Sequence, residues 1–247
     1  SDIRTPGGVG LARSASTPRY RYFRGRMHSE FTLIDAPSLG DLRVFLTRAG
    51  RVEDGSVRLI AADHVLAVYV AVLYPSGLLD QTPTVLGLRT FALSTRAEFD
   101  AVVPVRSLLD RLERAEAGVP VTLPMQVHTV TWAAISPPRG GWVAQKPTDA
   151  GILNRVAASG IAEVAHAIPT GTGEQIVQRV RAEVWGRAIE GLEHVVAGGA
   201  FAALSLGFLG DGDAVGEVRL FETGPWTRLT TDRGHVLVKR RAWSLLG

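Results

Sequence analysis

Ten consecutive residues, Val65 to Tyr74, carry no charge and no turn former. In a strand, alternate side chains point to opposite faces, so Leu66, Val68, Val70 and Val72 line one side and Ala67, Tyr69, Ala71 and Leu73 the other. A strand that is apolar on both sides needs cover on both sides. The run is far shorter than the roughly 20 residues that span a bilayer as a helix. A chain built around it must therefore make a sheet with material packed on each face.

The neighbouring segments supply that sheet and its cover. Ser56 to Ala61 reads as a strand joined to Val65–Tyr74 through an Ala-Asp-His turn, and Thr84 to Leu93 as another, beyond Pro75-Ser76-Gly77. Ahead of them, Ser38 with Asp41 at the third position predicts a capped helix ending at Gly50, with Leu39, Leu42, Phe45 and Leu46 on one face. Pro104 fits the first turn of a second helix carrying Val105, Leu108, Leu109 and Leu112 and closing at Gly118. Val127 to Ser136 alternates again and predicts a strand, with His128, Val130 and Trp132 on one side.

The strongest breaker is Pro137-Pro138-Arg139-Gly140-Gly141-Trp142. After it, Thr148 or Asp149 caps a helix with Ile152, Leu153 and Val156, expected to break near Gly160 and resume through Val164 to Ile168. Thr172-Gly173-Glu174-Gln175 has capping-box spacing ahead of Ile176, Val177, Val180 and Val184. Gly199 to Leu209 suits helix or strand alike. From Val215 the pattern is β: Val218 and Leu220, then Trp226 to Thr230, then His235 to Arg240 around an Asp232-Arg233-Gly234 turn. The fold class expected is α+β, with a mixed or antiparallel sheet in the first half and a helical second half closed by a C-terminal β-hairpin. The expected division is residues 1–26 as a flexible basic arm or an extension from an upstream start, 27–136 as an α+β domain, and 143–247 as a helical domain with the hairpin. The last two pack either apart or as one unit.

Charge narrows the choice of partners. The chain is formally +3, but residues 1–26 hold six arginines against one aspartate, leaving −2 for the rest. A nucleic-acid reading therefore rests on that arm, where Tyr20, Tyr22 and Phe23 interleave with arginine, or on local patches. Nucleic acid stands behind a protein as the expected partner, and no membrane contact is expected. With no cysteine, disulfides, thiolate zinc sites and cysteine nucleophiles are excluded. The N-terminal stretch has arginines but no apolar h-region, which makes the cytoplasm the expected location.

No motif forces a chemistry. Gly171-Thr172-Gly173-Glu174 lacks the Gly-Lys-Ser/Thr ending of a phosphate loop and reads as a helix cap. The six histidines have no ligand spacing, and Asp211-Gly212-Asp213 is only a fragment of a calcium loop, so no metal and no cofactor are expected. Ser76 and Ser205 lack the elbow of a hydrolase nucleophile. Residues 161–180 lie loosely on a helix-turn-helix, whose second helix offers Gln175, Gln178, Arg179 and Arg181.

Two groups remain as binding candidates. Arg139 and Trp142 share one loop, where a guanidinium and an indole can hold a planar or anionic group. Trp226 and Arg228 share one face of the C-terminal hairpin, among Arg233, His235, Lys239, Arg240 and Arg241. The expected ligand- or partner-binding residues are thus Arg139, Trp142, Trp226 and Arg228, each against the plainer role of packing or solubilising. Thr84 to Leu93, Ile135 to Trp142 and Arg233 to Val238 resemble an uncharacterised protein group of high-GC Gram-positive bacteria, a resemblance that implies no activity. The function expected is a non-enzymatic binding or protein-interaction protein, as a homodimer. The alternatives are a small-molecule enzyme with a site assembled from distant residues, and a winged-helix-like DNA-binding regulator.

Overall fold

The computed structural model describes residues 29–77, 80, 82–168, 171, 173–210 and 216–240. The arm expected over residues 1–26 and the Asp211-Gly212-Asp213 turn lie outside these.

The strands are β1 (Glu30–Phe31), β2 (Ser56–Ala62), β3 (Val65–Leu73), β4 (Thr84–Ala92), β5 (Phe99–Pro104), β6 (Val121–Thr122), β7 (Val143–Asp149), β8 (Ala188–Ile189), β9 (Leu192–Val196), β10 (Glu217–Thr223), β11 (Trp226–Thr231) and β12 (Gly234–Lys239). The helices are α1 (Ala36–Val52), α2 (Val105–Glu113), α3 (Ala150–Ala167), α4 (Glu174–Gly186) and α5 (Ala197–Ser205). Eight strands form one antiparallel sheet in the order β5-β2-β3-β4-β12-β11-β10-β7. The fold is α+β, as the alternation predicts.

The two halves of the chain meet inside this sheet, where β4 pairs with β12 from Thr84↔Lys239 to Leu88↔His235. The second half is therefore helical plus four strands of this sheet, β7 and the β10–β12 meander, with β8 and β9 paired apart from it. The hairpin expected at the C-terminus is present around Asp232 and Arg233, but it lies inside the sheet. Among the described residues no free wing stands beside α4, because the hairpin expected to form it is paired on both sides within the sheet.

The inner face of the sheet carries the main core. Val57, Leu59, Leu66, Val68, Val85, Val236 and Val238 pack there against Leu42, Phe45 and Leu46 of α1, Leu108 and Leu112 of α2, Leu153 of α3 and Ala200 and Ala203 of α5. Gly199 to Leu209 settles the helix-or-strand choice as α5 and the turn after it. That turn drops Leu206 onto β4, where a Cβ on Gly87 would stand 2.2 Å from the Leu206 side chain.

Several boundaries differ from the sequence expectation. Asp35, not Ser38, caps α1, accepting a hydrogen bond from the Ser38 N–H at 2.8 Å, and the helix runs past Gly50 to Val52. Pro104 precedes α2 rather than opening its first turn, and the helix ends at Glu113, before Gly118. Asp149 caps α3 through the Gly151 N–H. That helix is unbroken at Gly160, where a side chain would collide with Trp185 at 2.3 Å, so this glycine serves close packing and not a break. Val127 to Ser136 is no strand: only Val127 reaches the sheet backbone, through Val102, and Thr131–Ala134 is a 3-10 turn. The segment lies across the outer face instead, with the neighbouring Trp132 and Ala133 both buried against it.

Candidate functional site

The outer face of the sheet is built from the other parity of each strand. Cross-strand pairing gives one row of Val102, Arg58, Tyr69, Leu88, His235, Thr230 and Arg219. A second row runs Ala71, Leu86, Leu237, Arg228, Phe221 and Ala144. A small apolar cluster of Ala71, Leu86, Trp132, Ala133, Trp226 and Leu237 fills the middle. Ionisable and aromatic groups flank it on both sides.

On one flank, Arg58 makes two bonds to Asp100, at 2.8 and 2.6 Å, and one to the Ala133 carbonyl at 2.7 Å. This bonding to the guanidinium holds the Asp100 carboxyl below the ordinary range and raises the pKa of Arg58. Burial raises the Tyr69 hydroxyl pKa, against the opposing pull of Arg58 and Arg139. Arg58 also donates to Ser136, and so ties down the segment that crosses the face.

On the other flank, the Arg228 guanidinium lies over the Trp142 ring at 4.6 Å and the Phe221 ring at 4.4 Å. Its Nε is buried with no hydrogen-bond partner among the described residues. Desolvation, followed by repulsion from Arg219, lowers its pKa from the usual arginine value. His235 is likewise lowered, by burial first and then by Arg228 and Arg219, while its Nδ1 lies 3.0 Å from the Thr230 hydroxyl. The Trp142 indole N–H donates to the Pro138 carbonyl at 3.1 Å, fixing the ring that Arg228 uses.

The four residues expected from sequence separate into distinct places. Trp142 and Arg228 come together, although they are far apart in the chain. Trp226, two residues before Arg228 on β11, is buried in the outer cluster, against which Trp142 packs, and shows no ligand-facing surface, being 4% exposed. Arg139 is exposed in the crossing loop, near enough to Tyr69 and Asp100 to influence both. Sequence reasoning missed Phe221, Arg219 and Tyr69. The alternation of β10 was the available signal: Val218 and Leu220 mark its inner parity, which leaves Arg219 and Phe221 for the outer one.

Other features are plainer. Ser76 donates to Asp80 through its N–H and its hydroxyl, at 2.8 Å each, and so belongs to a loop hub. His64 sits 3.1 Å from the Leu93 carbonyl. Among the described residues no group of three metal-ligating side chains is present, and no helix is long and apolar enough to cross a membrane. A cleft of about 580 Å³ lies between Tyr74, Asp80 and α4. Another, of about 400 Å³, runs between β7, β10 and the β8–β9 hairpin, where His194 Nδ1 is 3.4 Å from Glu222.

Residues 27–134 match a family model described as a domain of unknown function, DUF8010, and residues 137–243 match a second, DUF8185. No curated protein matches the chain. Among solved structures it is similar to Caulobacter crescentus pol III beta, at 12% identity and TM-score 0.45, over 84% of this chain and 65% of that one. It is similar also to the DNA polymerase III subunit beta from Pseudomonas aeruginosa, at 16% identity and TM-score 0.46, over 88% of this chain and 66% of that one. A sliding clamp from Bartonella birtlesii bound to griselimycin overlaps at 13% identity and TM-score 0.48, over 89% of this chain and 66% of that one. The chain thus spans about two thirds of the length of these proteins.

Proposed function

We propose that this protein is a non-enzymatic interaction protein that docks a partner protein on the outer face of its sheet, around Trp142, Phe221 and Arg228. One observation carries the reading: Arg228 is half-buried over two aromatic rings and has neither hydrogen bond nor ion pair among the described residues. Arginine and large aromatic side chains supply most of the binding energy in protein interfaces when a partner desolvates them together. A flat, mixed apolar and basic face suits a macromolecular partner better than a small substrate, which needs a concave site.

The test is comparative capture. Affinity-tagged wild-type chain retains a partner from its native lysate, and the Trp142→Ala and Arg228→Gln variants, folded by circular dichroism, lose the same partner. Equal retention by all three chains contradicts the proposal.

A homodimer is the accompanying reading. It is supported by β7, which ends the sheet with its outer edge unpaired among the described strands and with Val143 exposed. Sedimentation at tens of micromolar, on the order of a weak dimer constant, tests it: a dimer is expected, and a monomer overturns it.

A further inference from the structure

We propose that Arg228 is the receptor for a carboxylate carried by the docked partner, an inference that rests on reading the outer face as the docking surface. Four part-buried arginines elsewhere show the contrast. Arg43 donates to the Leu112 and Ala115 carbonyls, Arg58 to Asp100, Arg89 to Asp41, and Arg240 to the Gly224 carbonyl. Arg89 also lies over a ring, that of Phe91 at 5.3 Å, and Arg240 also has a buried Nε without a partner, but each has a carboxylate or carbonyl for its other N–H groups; Arg228 lies over two rings and has no acceptor among the described residues.

That arrangement fixes the ligand's chemistry. Two rings against the guanidinium hold it in place, and with Nε buried the terminal N–H groups are the ones left to grip two oxygens of one carboxylate. Arg219 stands close enough to repel Arg228 electrostatically, and an anion bound at Arg228 relieves that repulsion. The part-desolvated surroundings strengthen that attraction over its value in water.

A peptide carboxylate fits better than a nucleic-acid backbone. A run of phosphates needs a stripe of cations, whereas this face interrupts its arginines with Asp100, and Arg219 already has Asp232 at 3.9 Å. The chain beyond residue 26 carries a net −2, which opposes a polyanion and tolerates one anchored carboxylate.

The test follows the Arg228 Nε–H resonance by 15N NMR in the full chain. The probes are sodium acetate, an N-acetyl-Ala-Glu-Ala amide, sodium chloride at matched ionic strength, and oligothymidylate. A saturable shift with acetate and the glutamate peptide, absent with chloride, is expected. Binding of the peptide, read on the neighbouring Trp142 indole N–H, should weaken at least about tenfold in Arg228→Gln, the loss that one charge-assisted bond implies. Arg228→Lys keeps the stem and the charge, secures the fold if the glutamine variant unfolds, and should lose most of that affinity because an ammonium offers no fork. A response no different from that to chloride, a response unchanged in both variants, or a response to oligothymidylate alone overturns the inference. A partner retained in the capture experiment beside an unresponsive Arg228 removes the carboxylate and leaves the docking face. Saturable carboxylate binding with no partner retained does the reverse.

Discussion

Arg228 is held by its neighbours more than by solvent, and that changes what its removal should do. Its guanidinium lies over the Trp142 and Phe221 rings, so Arg228→Ala is expected to lower stability by about 1 kcal/mol through lost cation–π contact and packing. Trp226, sealed in the outer cluster, is expected to cost about 3–5 kcal/mol as Trp226→Ala. Urea titration of the two variants ranks them, and the reverse order would contradict the division into contact and core. His235 adds a pH dependence whose sign is fixed. Burial and the two arginines depress its folded pKa, so the unfolded chain binds the proton more readily. The stability it contributes is complete above the unfolded value of about 6.5 and is lost as pH falls through it. Melting temperature should therefore fall between about pH 7 and pH 5, and the fall should be shallower in His235→Gln; identical profiles would remove His235 as its source.

Elements were legible where the pattern within the segment itself fixes its faces. The strands Ser56–Ala62 and Val65–Leu73, the stripe of α1 and the turn at Asp232 and Arg233 follow from alternation, 3.6-residue spacing and turn chemistry alone. The misses have a common physical cause, since each was decided by something remote in sequence. Gly160 looks like a helix break until Trp185, from the next helix, is seen lying against it. Val127–Ser136 looks like a strand by alternation, but it joins no ladder and buries the adjacent pair Trp132 and Ala133 on the sheet's outer face. The candidate site was half legible for the same reason: arginine and tryptophan could be picked out as binding types, but only β10, β11 and the crossing segment together show that Arg228 meets Trp142 while Trp226 is core. Gly160→Leu is accordingly expected to destabilise by about 1–3 kcal/mol or more through overpacking, despite leucine's better helix propensity. Asp35→Ala should cost about 1 kcal/mol as a lost cap. If Gly160→Leu stabilises the protein in thermal melts, the packing account of α3 is wrong.

Across the molecule, the β4–β12 ladder makes one sheet of two halves, and α5 packs against both of those strands. Val236, buried at that junction opposite Gly87, should be intolerant of charge, and Val236→Asp is expected to cost more than about 3 kcal/mol. Amide exchange should then rise together in β2 and in β11; a rise confined to residues 217–240 would mean that the halves unfold separately. The same continuity makes the outer face a single surface, with the Arg58–Asp100 pair at one side and the Arg228 group at the other. The most direct test of that surface as the docking face is site-specific photo-crosslinking in the native cell. A benzoylphenylalanine at position 219 on the outer face is compared with one at position 176 on α4, where Ile176 is 55% exposed. The account predicts a discrete partner adduct from position 219 and none from position 176; an adduct from 176 alone would contradict it.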